Sequence, residues 1–150
     1  GLAGDPGHVP LLTPGLPPRR EGLMTDKTTT LADLKDVVAR FIAERDWRRF
    51  HDPKNLSMSI AIEAAELMEH FQWLRTDDLP AWPADPADRE RVADEMADVL
   101  AFLLSLANVL DVDLASALRM KMEKNARKYP AAAFKGRFRR SSEHVPHDNP

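Results

Sequence analysis

The 150-residue chain contains no cysteine. Disulfide staples and thiolate metal sites are therefore excluded, and a reducing compartment is permitted. Glycine is nearly as confined: between Gly22 and Gly136 there is none. No glycine-rich loop in that span can cradle phosphates with backbone amides, so Walker-type and Rossmann-type sites are ruled out there. No apolar run approaches the ~20 residues that span a bilayer. The longest N-terminal apolar patch, around Val9 to Leu12, is interrupted by Pro10 and does not read as a secretory signal. An excess of positive charge is also missing. Lys and Arg number 21 against 24 Asp and Glu, for a net charge of −3, so the electrostatic footprint of a nucleic-acid binder is absent. These absences lead us to expect a cytoplasmic protein with neither nucleic-acid nor membrane partners.

What is present is helical. Five of the twelve prolines crowd into Pro6 to Pro18, so residues 1–29 read as a disordered leader, with Met24 a plausible natural start. Four proline-free stretches follow. The first runs roughly from Leu31 to Phe50, capped by Thr30, with Leu31, Leu34, Val38, Phe41 and Ile42 at helical spacing. The second, about Pro53 to Leu74, opens with Asp52 as cap and proline at the first helical position. The third repeats that device with Asp85 and Pro86 and continues to about Leu110. The fourth begins near Asp113 and stops before Pro130, which disfavours helical geometry at Tyr129. Asp77–Ala84, with Pro80 and Pro83, reads as a loop, and residues 131–150 as a flexible tail. No stretch alternates as a strand would. The expected fold is an all-α four-helix bundle over residues 30–130.

The chemistry-bearing residues are acids. Glu63-Ala-Ala-Glu66 lies in the second helix and Glu95-Met-Ala-Asp98 in the third. Residues three apart share one side of a helix, so two such pairs on facing helices surround one small volume with four carboxylates. Solvated helix surface is the ordinary fate of such acids. Here the neighbours argue otherwise. Glu63 belongs to the row Leu56, Ile60, Glu63, Leu67, Phe71. Glu95, Asp98, Phe102 and Val109 form a second row, beside the apolar stripe Val92, Met96, Val99, Leu103, Leu106. Acids at inward positions are costly unless paired or bound to metal. Two like charges 4 Å apart repel by about 4 kcal/mol at an effective dielectric of 20. Hard divalent cations relieve that, and Mg²⁺ favours all-oxygen ligands.

With no glycine loop available, a phosphate substrate would be held by metals and side chains. Lys121 and Asn125, one turn apart on the fourth helix, are the better-placed phosphate contacts among Lys121, Lys124, Asn125, Arg127 and Lys128. Trp47 and Trp73 each stand near a helix end. Packing and base stacking suit them equally on residue chemistry alone. Trp82, inside the proline loop, reads as a packing anchor. His51 precedes the Asp52 cap and could contact a base or simply face solvent. His70 follows Glu66 by four residues, so the Glu-x-x-His spacing of di-iron helices is absent. The basic run Lys135 to Arg140 reads as a solvated tail.

Taken in order, several segments form a series: Ala43-Glu44-Arg45-Asp46-Trp47, Phe50-His51, Asn55-Leu56, Glu63-Ala-Ala-Glu66-Leu67 and Phe71-Gln72-Trp73. Glu95-Met-Ala-Asp98-Val99-Leu100 continues it, and Lys121-Met122, Asn125 and Tyr129-Pro130 close it. This series resembles the MazG-like all-α NTP pyrophosphohydrolases, and within them the dCTP pyrophosphatase type. The resemblance implies Mg²⁺-dependent cleavage, with Mn²⁺ as a possible substitute, of a nucleoside triphosphate to the monophosphate and pyrophosphate. It also implies a homo-oligomer, either a dimer or a tetramer built as a dimer of dimers. Carried over by position, Glu63, Glu66, Glu95 and Asp98 become metal ligands, and Trp47, His51 and Trp73 line the base and sugar pocket. Lys121 and Asn125 approach the phosphates, with Lys121 also stabilising departing pyrophosphate and Glu66 orienting water. Two positions depart from the pattern: Val38 stands where dCTP-specific members carry His, and Phe102 where they carry Tyr. The substrate this implies is dCTP or a related or modified pyrimidine nucleotide. The alternatives are a non-catalytic helical module that binds nucleotide or a partner, and an oligomer whose acids form salt bridges.

Overall fold

A computed structural model describes residues 24–83 and 85–136. They contain four long helices and no strand: α1 (Leu31–Glu44), α2 (Pro53–Glu69), α3 (Pro86–Val109) and α4 (Leu114–Lys128). One further turn, α5 (Ala131–Phe134), follows Pro130, and two short 3₁₀ segments, Arg48–Phe50 and Thr76–Ala81, occupy the links. The first backbone N–H groups of a helix have no carbonyl to bond. Here side-chain oxygens take that place. Thr30, Asp52, Asp85 and Asp113 accept from the backbone N–H of Asp33, Asn55, Ala87 and Ser116 respectively. At Asp113, the backbone N–H of Ser116 also holds the carboxyl below its ordinary pKa.

The helix ends differ from the sequence expectation. α1 stops at Glu44 rather than Phe50, because Asp46 adopts a left-handed φ of 52°. Trp47 N–H then donates to Ile42 O at 3.1 Å and Asp46 N–H to Ala43 O at 3.1 Å. This is the Schellman closure, with aspartate where glycine is usual. Asp111 repeats it after α3, again at φ 52°, with Val112 N–H donating to Ala107 O at 2.9 Å. α2 stops at Glu69 rather than near Leu74. Beyond it the chain unwinds into turns that bring Phe71 against Trp82, ring centroids 5.1 Å apart, so Trp82 does anchor the loop by packing. Residues 131–136 of the expected flexible tail hold α5, where Tyr129 meets Phe134 edge-on at 5.4 Å. Of the expected leader over 1–29, residues 1–23 lie outside the described residues, as does the tail from 137 onward, whereas residues 24–29 hold a turn in which the Thr28 and Thr29 N–H groups donate to Thr25 O.

α3 is the axis of the molecule, with α2 packed along it and α1 on its C-terminal half. Lys35 Nζ donates to Val112 O at 3.1 Å and Asn108 Nδ2 to Lys35 O at 3.0 Å, which fix α1 to the end of α3. Ile42, Leu56, Val92, Leu104 and Ala107 form the buried core. The row Leu56, Ile60, Glu63, Leu67, Phe71 turns inward as its spacing predicts. The α3 stripe divides. Val92, Val99 and Leu106 are covered, whereas Met96 is 58 % exposed and Leu103 also faces out, because none of the described residues covers that side of α3.

α4 leaves the group. Its axis turns 102° from that of α3 across the short link around Asp111, and no α4 side chain is buried. The four helices expected from sequence are present, but only three share the core of one chain. No single helix among the described residues is long and apolar enough to cross a membrane.

Leu56 is 1 % exposed at the α2–α3 contact. Leu56→Ala should therefore cost about 2–5 kcal/mol through lost burial and the cavity left behind, measured as a lower midpoint in urea denaturation at unchanged slope.

Candidate functional site

Glu63 and Glu66 reach the α2–α3 seam from one helix, and Glu95 reaches it from the other. One carboxylate oxygen from each can be chosen so that all lie within 4.8 Å of one another. Glu63 and Glu95 are half-buried, while Glu66 faces solvent. That spacing and the all-oxygen donor set fit a hard divalent cation with water completing its shell. Asp98 stands at the exposed rim, outside the tight group but near enough for its charge to act on Glu63. The Glu63 carboxyl is held above its ordinary pKa, first by burial and then by the charges of Glu66, Asp98 and Glu95. His70, at the end of α2, places Nε2 4.0 Å from Glu95 Oε1. It is the one nearby group able to offset that negative charge among the described residues.

The expected substrate contacts divide. Trp47 lies beside Phe41 in an edge-to-face pair at 5.9 Å, and the Arg45 guanidinium sits 3.6 Å above the Phe41 ring. Val38 and Phe102 are half-buried on α1 and α3. His51 lines a cavity of about 270 Å³ with Ala39, Ile42, Arg48, Ser105, Asn108 and Val109. Trp73 is 86 % exposed, with no described side chain stacked on it. Lys121 is exposed and Asn125 half-buried on α4, the helix that turns away. Within one chain, then, three of the four acids are brought together, while the α4 pair stays with a helix that lends little to the core. Arg48, Ser105 and Asn108 belong to a site lining that the sequence reading passed over. Ser105 lies seven residues beyond Asp98 on the same face of α3, which is the signal that could have found it.

A family model described as MazG-like matches residues 58–143, more than half of the chain. The chain belongs to the MazG-like family. It is 43 % identical over 120 residues to dCTP pyrophosphatase 1 of Homo sapiens, covering 79 % of this chain and 69 % of that protein. Against dCTP pyrophosphatase 1 of Mus musculus the identity is 42 % over 110 residues, covering 71 % and 63 %. The chain thus spans under two thirds of the length of the mouse relative. Among solved structures, a pyrophosphatase from Archaeoglobus fulgidus matches with a TM-score of 0.62 at 40 % identity, covering 72 % of this chain and 99 % of that one.

The raised Glu63 pKa has a stability consequence. The folded chain binds a proton at Glu63 more readily than the unfolded chain, so metal-free stability should rise as pH falls from neutral toward 4.5, the ordinary glutamate pKa. Glu63→Gln removes one of the repelling charges. It should raise the metal-free melting temperature by a few degrees at pH 7 and flatten that pH dependence, as read by circular dichroism in EDTA.

Proposed function

We propose that the chain is a Mg²⁺-dependent nucleoside triphosphate pyrophosphohydrolase, releasing the monophosphate and pyrophosphate, with dCTP or a related or modified pyrimidine nucleotide as substrate. The observation that carries this reading is the convergence of Glu63, Glu66 and Glu95 within 4.8 Å, in a chain with no glycine between Gly22 and Gly136 to build a phosphate loop. The relatives named dCTP pyrophosphatase 1 support the substrate. A cytoplasmic setting belongs to the same reading.

Glu63, Glu66, Glu95 and the rim carboxylate Asp98 would hold the cation, with Mn²⁺ able to replace Mg²⁺. A divalent ion so held supplies charge compensation for the triphosphate and lowers the pKa of water. Glu66, the solvent-facing member of the trio, is placed to orient the attacking water and accept its proton. Trp47, His51 and Trp73 flank the base and sugar, with Val38 and Phe102 as apolar walls in place of polar contacts. Lys121 and Asn125 contact the phosphates, Lys121 offsetting negative charge on the departing pyrophosphate.

The reading includes self-association. Ile62 is 55 % and Leu118 61 % exposed, and Met58, Met96, Leu100 and Met122 are exposed with them. Exposure of so many large apolar side chains supports an interaction surface. A homodimer, or a tetramer of two dimers, would cover it and give α4 a partner outside its own chain. Such an assembly could carry Lys121 and Asn125 toward a neighbour's acids.

Incubation of each candidate triphosphate with Mg²⁺ should yield monophosphate and pyrophosphate, and EDTA should stop it. Glu66→Ala or Asp98→Ala should cut turnover at least a hundredfold while the helical circular dichroism signal persists. Turnover retained in either variant removes that residue from the mechanism. Mg²⁺ should raise the melting temperature of the wild-type chain by linkage, a shift lost in Glu63→Gln. Sedimentation should return a multiple of the 16.9 kDa chain mass. Nucleotide binding without pyrophosphate release would favour the non-catalytic module instead.

A further inference from the structure

The cavity beside His51 carries an inference that rests on the triphosphate reading and goes beyond it. Its walls come from three elements: Ala39 and Ile42 of α1, Arg48 and His51 of the following turn, and Ser105, Asn108 and Val109 of α3. At about 270 Å³ it is just below the ~300–1,000 Å³ of sites for drug-sized ligands, and suits a single small heterocycle. Its position relative to the acids is set by α3. Asp98, Phe102 and Ser105 lie on one helix face, and seven residues at 1.5 Å each put Ser105 about 10 Å along the axis from Asp98. A sugar and one phosphate bridge a gap of that size. A base seated here would thus belong to a nucleotide whose phosphates reach the carboxylates.

Arg48 is exposed to solvent, so the polar atoms on the covered walls of this pocket are those of Ser105, Asn108 and His51. Ser105 is 3 % exposed, and its hydroxyl donates to Ala101 O at 2.8 Å, which leaves the oxygen only as an acceptor. Asn108 Nδ2 donates to Lys35 O at 3.0 Å, which leaves Oδ1 as an acceptor with no described partner. His51 Nδ1 is buried and has no partner either. It donates or accepts according to its tautomer. Two acceptors beside one adaptable nitrogen complement an exocyclic amino group next to a ring nitrogen. A keto oxygen in the same place would meet the lone pairs of Ser105 Oγ and Asn108 Oδ1 and offer neither of them a proton.

We propose that Ser105 and Asn108 are specificity-determining residues that read the exocyclic amino group of the substrate base, with His51 pairing to the adjacent ring edge. Cytosine and adenine share this edge, whereas uracil and hypoxanthine present oxygen there. The pocket therefore discriminates amino from keto bases, not merely one ring size from another. Phe102, between the acids and Ser105 on α3, supplies the apolar surface along which the nucleoside lies.

The test compares kcat/KM for dCTP with dUTP and for dATP with dITP, together with calorimetric binding of the α,β-methylene analogues of dCTP and dUTP. Wild-type chain should prefer the amino member of at least one pair by roughly ten- to a hundredfold, and which pair responds tells cytosine from adenine. Ser105→Ala should reduce that ratio several-fold and Asn108→Leu about tenfold. Asn108→Asp, which keeps an acceptor but loses the donor to Lys35, should retain it. A ratio cancels the fraction of folded enzyme, so simple destabilisation does not move it. Equal turnover of amino and keto substrates by the wild type, or a ratio unchanged by both Ser105→Ala and Asn108→Leu, overturns the proposal and leaves the hydrolase reading standing. Variant-sensitive selective binding with no pyrophosphate released has the opposite effect: it upholds base reading and removes hydrolysis.

Discussion

The convergence of the Glu63, Glu66 and Glu95 carboxylates is the constraint around which the site is arranged. The three groups approach within 4.8 Å at a half-buried seam, where water screens them less than at an open surface. Burial and those neighbouring charges together raise the Glu63 pKa. A fold selected for stability alone would place leucine at such a position, as it does at Leu56 and Leu67 on the same row. The seam therefore places charge where apolar packing would be more stable, and a divalent cation is the kind of ligand that would offset it. His70 Nε2 stands 4.0 Å from Glu95 at the end of this cluster.

The helices around the seam are arranged to hold those acids while leaving one side open. α2 and α3 give the site its rigidity, since i, i+3 pairs on two packed helices cannot drift as loop ligands could. α1 closes the far end through Lys35 and Asn108. Asn108 has two duties there, since its amide nitrogen ties α1 to α3 while its oxygen borders the cavity. α4, turned 102° away, leaves the remaining side of α2 and α3 uncovered. Among the described residues five apolar side chains are buried and twenty-one large ones are exposed, so much of the apolar surface of a single chain stays in water.

Helix starts were legible because their signals are local. Asp52-Pro53 and Asp85-Pro86 each place a side-chain acceptor before a residue that needs no N–H partner, and both begin helices. The inward row on α2 was legible because Leu56, Ile60, Leu67 and Phe71 repeat at one angle whatever surrounds them. The ends of α1 and α2 were not. Asp46 in the left-handed region carries no mark to separate it from an aspartate on a helix surface, and the turn at Phe71 depends on Trp82, eleven residues away. Met96 and Leu103 were read as interior because periodicity reports which side is apolar and not whether the same chain covers it. The departure of α4 is hidden for the same reason.

The acids were readable because charge among apolar residues is conspicuous, whereas Ser105 and Asn108 were not, because one hydroxyl and one amide within Leu103 to Leu110 pass for helix filling. Their meaning lies in bonding state. Ser105 spends its proton on Ala101 and Asn108 an amide hydrogen on Lys35, and only then does each become an acceptor facing a cavity. Had the Ser105 proton pointed into the cavity, the same pair of residues would welcome a keto oxygen. Recognition at this site is therefore set by which backbone carbonyls the helices leave within reach of those side chains. On the base-reading proposal, helix packing would reach base choice directly: the α1–α3 contact that orients Asn108 would fix the polarity of the pocket, while α3 itself sets its distance from Asp98.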